Sequence, residues 1–289
     1  MSTDHDLQIP ELHPIEDRDL DGVCRFLQAN LNPKVSLEEW MRAYRHPWDP
    51  EKPNNGFMLR YQERIVGVFM AIYSRQTIRG HVEPFCNPNS WVVERDFRKY
   101  SNLLYRALLA QKAYHFFITT PNPVVAKIFS RSNFQYMPDQ ITVLPCVPLR
   151  WSSGRIIDNG RDFENFLDAT SYQIFNDHRD IPWLHHVAAG SPEHYVYMIF
   201  KRVRLKRMNS IRILHVSNPD HFLDYRHLLA IHFFRRYFAI TMQIDRRFLS
   251  QTPLVSLNRQ DGQPKMYFSD HLGAADFGYI YSESTALDQ

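Results

Sequence analysis

Four sets of residues have types and spacings that bear on chemistry. Fourteen histidines come first, since imidazole both binds metals and carries protons near neutral pH. His221, His227 and His232 are six and five residues apart, so none repeats the i, i+4 face of a helical metal pair. With His185 and His186 they read as scattered core or surface residues, and no metal site is expected. Cys24, Cys86 and Cys146 are odd in number and widely spaced. They give neither a metal pattern nor a disulfide framework, which favours a reducing compartment. The run KRVRLKR (201–207) alternates. Arg202, Arg204 and Lys206 share one face, with Lys201, Val203 and Leu205 on the other. That is a solvated strand rim, or a face for an anionic partner. The fourth set is Arg98 and Lys99, two cations between the apolar run Trp91-Val92-Val93 and a helical stripe. A strand-to-helix turn gathers backbone N–H groups and the positive end of the helix dipole, a geometry suited to anions. An ordinary helix start with solvated cations is the plain alternative. No Ser-His-Asp or Cys-His triad emerges.

The elements that must position these residues follow from periodicity. Leu12–Ile15 reads as a strand, and Val23, Phe26, Leu27 and Leu31 as one face of a helix. Ser36 with Glu39 makes a capping box for a second helix, whose Trp40, Met41 and Tyr44 face inward. Prolines break residues 46–55. Residues 56–61 and 65–73 form an antiparallel hairpin. A strand at 90–93, a helix at 101–111, a strand at 116–120, a helix at 124–130 and a broken strand at 134–144 complete a β-α-α-β-β-β-α-β-α-β order. The seam is LPCVPLRWSSGR (144–155). Beyond it come a helix at 163–175, strands at 195–205 and 211–216, a long helix at 219–238, and strands at 240–244 and 265–269. Strand, long helix, strand repeats the middle of the first half.

The run WVVERDFRKYSNLL (91–104) resembles the central motif of the GCN5-related N-acetyltransferase (GNAT) superfamily. Val93 takes the strand-ending Val position, Phe97 the aromatic one and Arg98 the Arg/Gln one, and Ser101 and Leu103 fall where two small residues belong. ERIVGVFMAIY (63–73), with Gly67, is similar to the family's hairpin. NPVVAKIFSRSNF (122–134) is similar to its Asn-led helix. The resemblance spans roughly residues 10–145, about half of the chain. It implies an α/β fold with a mixed sheet, here in two tandem copies divided as 1–145 and 146–289. It also implies acetyl-CoA or another acyl-CoA as co-substrate. Val92, Val93, Arg98, Lys99, Tyr100, Ser101, Asn102, Leu103 and Asn122 would hold it, and Glu83 would act as general base. Asn87, Asn89 and Ser90 would approach the acceptor. The departures are specific. Gly is missing from both loop positions, Leu103 puts a bulky side chain at one of them, and Asn133 replaces the usual Gly after the Asn-led helix. Phe129 stands where many members carry a Tyr that protonates the leaving thiolate, and phenylalanine has no proton to give.

Length and composition bound the rest. At about 150 residues per domain, 289 residues favour two domains. The 34 basic and 31 acidic residues nearly balance, which speaks against a nucleic-acid partner and against an aminoacyl-tRNA donor. The polar, acidic N-terminal stretch is unlike a signal peptide, and no apolar run is long enough to span a bilayer. The expectation is therefore a cytoplasmic acyltransferase acting on a small amine or sugar-like acceptor, without a membrane partner. The second half would shape the acceptor site or mediate pairing into a homodimer. The rival reading is a non-catalytic GNAT-like module that binds a ligand or partner.

Overall fold

Nine consecutive residues, Val66 to Ser74, are buried, and a strand of that kind needs cover on both faces. In the computed structural model, which describes residues 9–45, 48–147 and 154–288, that strand lies inside a seven-stranded sheet. The first half of the chain supplies β1 (Glu11–Pro14), α1 (Leu20–Asn30), α2 (Leu37–Arg45), β2 (Gly56–Tyr61), β3 (Arg64–Ile78), β4 (His81–Val93), α3 (Ser101–Leu109), β5 (His115–Ile118), α4 (Pro123–Ser130), β6 (Gln135–Tyr136) and β7 (Gln140–Pro145). The second supplies β8 (Arg155–Ile157), α5 (Ala169–His178), β9 (His185–Ser191), β10 (His194–Leu205), β11 (Met208–Val216), α6 (Pro219–Tyr237), β12 (Thr241–Asp245), β13 (Leu257–Gln260), β14 (Met266–Phe268) and α7 (Glu283–Ala286).

The first sheet has the order β1-β2-β3-β4-β5-β14-β6 and the second β13-β7-β12-β11-β10-β9-β8. Each contains one parallel pair, β4 with β5 and β11 with β12. Each pair is joined through a crossover helix, α3 or α6. The architecture is a mixed α/β fold in tandem. The halves also trade strands. β7, at the expected boundary of residue 145, pairs with β12 and β13 of the second sheet, while β14 crosses back to pair with β5 and β6. The middle of the expected seam, 148–153, lies outside the described residues.

Local chemistry explains most element ends. The Ser36 capping box forms, with Ser36 N–H donating to Glu39 Oε2 at 2.8 Å and Glu39 N–H to Ser36 Oγ at 3.2 Å. Asn133 takes the left-handed conformation, φ 63°, which Asn tolerates. β4 runs from His81, far earlier than the strand expected at 90–93. Pro84 and Pro88 sit opposite Arg75 and Ala71 of β3, whose N–H groups turn away to Trp48 O and Asn55 O, so neither proline removes a donor from that ladder. The helix expected at 163–175 begins at Ala169, where the Asp168 carboxylate caps Ser171 N–H at 2.8 Å. β9 was not anticipated.

One core is shared between the halves. Trp40, Tyr44 and Trp48 pack in the same buried cluster as Phe163, Phe175, Tyr197, Tyr281 and Leu287. Burying a large apolar side chain contributes about 1.5–3 kcal/mol, so this interface resembles a domain interior more than a hinge. No helix among the described residues is long and apolar enough to cross a membrane.

Candidate active site

The parallel ladder between β4 and β5 holds only two pairs, Phe85 with His115 and Cys86 with Phe116. Beyond them Asn87, fully buried, donates its Nδ2–H to Phe117 O at 2.9 Å. A side chain thus takes the place of a backbone partner, and the strands part. The gap opens into a cavity of about 540 Å³, floored by Phe69, Trp91 and Phe129 and walled by Trp40, Asn89 and Thr120. Ser90 sits at φ 50°, where the register between β3 and β4 slips by one residue. Such a bulge re-aims groups at a site. Asn89 Oδ1 and Ser90 Oγ are both held by the buried Tyr44 hydroxyl, at 2.6 and 2.9 Å.

A carboxyl group reaches this cavity from 160 residues downstream. Glu283, at the start of α7 and 3% exposed, lines the cavity. Its Oε1 accepts the Thr119 and Thr120 hydroxyls, each at 2.8 Å, and its N–H donates to Asn87 Oδ1 at 2.9 Å. Oε2 is buried without a hydrogen-bond partner among the described residues. Burial lifts the Glu283 carboxyl above the ordinary glutamate range, and the hydrogen bonds from Thr120, Thr119 and Asn87 oppose this only in part. A buried acid with a raised pKa and an unpartnered oxygen, in the wall of a cleft, is the profile of a proton-transfer group.

The second half holds the segment that carries Glu283. Trp183 Nε1–H donates to Thr285 O at 2.8 Å. Lys201 Nζ donates to Ser284 O and Leu287 O at 2.9 and 3.0 Å. The two ring nitrogens of His178 lie 2.7 Å from Ile174 O and Ile280 O. The Tyr281 hydroxyl donates to Asp177 Oδ2 at 2.7 Å. Lys201 is the buried residue of the KRVRLKR run, whose other faces remain exposed or half-buried.

Lys201 gives a pH signature. Burial lowers its ammonium to about 8, against 10.5 for a free lysine. Between those values the unfolded chain binds a proton that the folded chain does not, so stability rises with pH through that window. Wild type should gain about 2 kcal/mol more than Lys201→Met between pH 8 and pH 10. Urea denaturation at several pH values measures this, and parallel curves for the two proteins would contradict it.

The residues expected from the sequence are distributed unevenly. Asn122 lines the cavity, but its Oδ1 caps α4, accepting the Val124 and Val125 N–H groups at 3.0 Å each. Val93 is buried core against Gly67, and Val92 packs on the shared core. Arg98, Lys99 and Asn102 are exposed, with Lys99 over the Tyr100 ring at 5.0 Å. In place of an open loop, a 3₁₀ turn spans Arg95–Tyr100 and runs directly into α3. Ser101 turns back on it, both N–H and hydroxyl bonding Arg98 O. Leu103 is 38% exposed and does not line the cavity. Glu83 is displaced from the role expected of it. It lies six residues back along β4 from Asn89, roughly 20 Å at strand rise, and its oxygens face His115 and His271. Asn89 and Ser90 do line the cavity. Glu283 was missed. The only local signal was an isolated acid in a Ser-rich stretch, which has no periodicity. Burial lifts the Cys24 and Cys146 thiols to about 12, so neither is a thiolate nucleophile at neutral pH.

No protein-family model matches the chain, and no curated protein matches it. Solved structures do share its fold. A GCN5-related N-acetyltransferase from Anabaena variabilis aligns over 89% of this chain and 72% of its own, with TM-score 0.60 at 12% identity. A GCN5-related N-acetyltransferase from Kribbella flavida aligns over 89% and 70%, with TM-score 0.58 at 12% identity. Eis1 from Mycobacterium abscessus aligns over 89% and 73%, with TM-score 0.51 at 10% identity. The fold is therefore GNAT-like, repeated in tandem across the two sheets.

Proposed function

We propose that this chain is an acyltransferase, moving an acyl group, acetyl in the simplest case, from acyl-CoA to an amine or hydroxyl of a small acceptor. The donor would lie in the cavity between β4 and β5. The observation that carries the reading is the buried Glu283 carboxyl in the wall of that cavity, with one oxygen that has no hydrogen-bond partner among the described residues. We divide the work as residues 1–145 for the donor and 146–289 for the acceptor side, with one strand exchanged in each direction.

The β4 edge beyond Cys86 has no ladder partner on the β5 side, so its N–H and C=O groups can pair with the amides of an extended pantetheine arm. The acceptor nitrogen or oxygen bonds to the thioester carbonyl carbon and the C–S bond breaks. The thiolate leaves with the electron pair, and the acceptor proton passes to the Glu283 carboxylate. Positioning supplies much of the acceleration, and Glu283 the proton transfer. Phe129 is buried and edge-on to Tyr105 and Phe134, so it shapes the cavity without donating a proton. Three buried free thiols favour a reducing compartment, the cytoplasm.

Thiol release from acetyl-CoA in the presence of amines and aminosugars tests the reading. Turnover with at least one acceptor is expected. Absence of both turnover and a thermal shift at millimolar acetyl-CoA would overturn it. A ligand-binding module without turnover is the second reading, favoured by the 3₁₀ turn that replaces the open phosphate loop. Saturable binding with no thiol release would select it.

A further inference from the structure

Away from the cavity, a cluster of side chains at the other end of the parallel pair has no part in this chemistry. Glu83 near the start of β4, His115 at the start of β5 and His271, three residues past β14, converge from three separate segments. His115 Nε2 lies 3.1 Å from Glu83 Oε2, and His271 Nε2 lies 3.3 Å from Glu83 Oε1. One ligand atom from each residue falls within 4.8 Å of the others. The two imidazoles meet nearly at right angles, 81°, with centroids 4.8 Å apart.

These spacings have a chemical meaning. Four ligands at about 2.0–2.1 Å from a tetrahedral Zn²⁺ sit about 3.3–3.4 Å from one another. One edge of such a tetrahedron, His115 Nε2 to Glu83 Oε2, is in place; His271 stands against the other carboxylate oxygen, and a swing of its ring, which is 58% exposed, brings it to the same ion. That exposure leaves the fourth position to water. When Nε2 of His115 is a ligand, its proton belongs on Nδ1, and Ser269 Oγ lies 2.9 Å away to accept it. A ligating histidine is commonly oriented by such a partner. Ser269 Oγ also lies 2.8 Å from the Leu272 N–H and 3.2 Å from the His271 N–H; its two lone pairs can take the His115 proton and the shorter Leu272 bond together, which ties the loop carrying His271 to His115.

We propose that Glu83, His115 and His271 form a tetrahedral transition-metal site, of the Zn²⁺ class, with two imidazoles, one carboxylate and one water. The site links segments far apart in the chain. β14 reaches the first sheet from the second half of the chain, and the metal joins the loop after β14 to β4 and β5. Arg79 Nη2 donates to both carboxylate oxygens of Asp276, at 2.9 and 2.8 Å, and clamps the same loop a few residues on.

The test uses the full chain, free of any affinity tag and stripped of metal by a chelator. Co²⁺ should bind with one equivalent per chain and give the intense visible bands of a tetrahedral site. Zn²⁺ should displace it and raise Tm. His271→Ala removes an exposed ligand and should fold normally by circular dichroism. It should weaken Co²⁺ and Zn²⁺ binding by more than about 100-fold, beyond the 10–100-fold typical of losing an outer partner. Glu83→Gln should do the same. His194→Ala, which removes a histidine paired with Asp224 elsewhere, should leave binding intact. Absence of tetrahedral bands would overturn the proposal and leave a hydrogen-bonded triad only. Bands that survive His271→Ala, or vanish in His194→Ala, would overturn it equally.

Discussion

Glu283→Gln is expected to lower kcat/KM for acyl transfer by about 100-fold or more, within the range that a positioned general base supplies, while leaving Tm unchanged or higher. The amide keeps an oxygen for the Thr119 and Thr120 hydroxyls and places its nitrogen where the unpartnered oxygen stands. The stability half follows from the raised pKa. Above about 4.5 the unfolded carboxyl ionises, while the folded one holds its proton until the lifted value is reached. Across that interval the folded state binds more protons, so stability falls as pH rises. At neutral pH the wild-type protein carries that cost and the glutamine variant does not. The pH profile gives a second readout. Wild-type kcat/KM should climb through a limb above the ordinary glutamate range, and the limb should be missing in the variant. A variant that is slow only because it is unfolded would contradict the account, as would one with wild-type rate.

Gly56→Ala should destabilise the protein by at least about 3 kcal/mol, one of the larger effects available to a single methyl group. Gly56 opens β2 at φ +110°, a region that side chains avoid. A Cβ there would stand 2.2 Å from Phe69 O and 2.7 Å from Met70 Cα. Both contacts are backbone of the strand buried on two faces, so neither can move cheaply. The Gly56 N–H also accepts no alternative placement, since it donates to Asn54 Oδ1 at 2.8 Å while Gly56 O receives Ile15 N–H at 2.9 Å. Gly80→Ala is the control. Gly80 also has positive φ, +85°, but nothing lies within 4 Å of its would-be Cβ, so only the conformational cost of about 1 kcal/mol remains. Thermal denaturation should show Gly56→Ala melting at least 6 °C or so below wild type, with Gly80→Ala only slightly lower. Equal losses at the two glycines would refute the packing argument.

The first half was legible where sequence neighbours decide structure. The 56–73 hairpin, the Ser36 box and the helix led by Asn122 are local patterns, and the structure forms each of them. What escaped was set by distance along the chain. Glu283 meets Thr119 and Asn87 across more than 160 residues, and no periodicity encodes such a contact. The strand exchange was hidden for the same reason. The segment 265–269 reads as a strand, but nothing in its residues says which sheet it joins. Glu83 was assigned from a resemblance of position, and the structure turns it toward two histidines instead. The strand expected at 90–93 extends back to His81, because its first residues pair with β3 far from the run that signals it.

The account's central claim, that the gap between β4 and β5 receives an acyl thioester of CoA, is tested most directly by calorimetric titration with acetyl-CoA. Wild type should be compared with Val125→Trp, in which an indole is placed at a cavity-lining position of α4. The account predicts a saturable 1:1 heat for wild type and at least a tenfold loss of affinity in the filled variant. No heat at millimolar acetyl-CoA, or identical binding in both proteins, would contradict it.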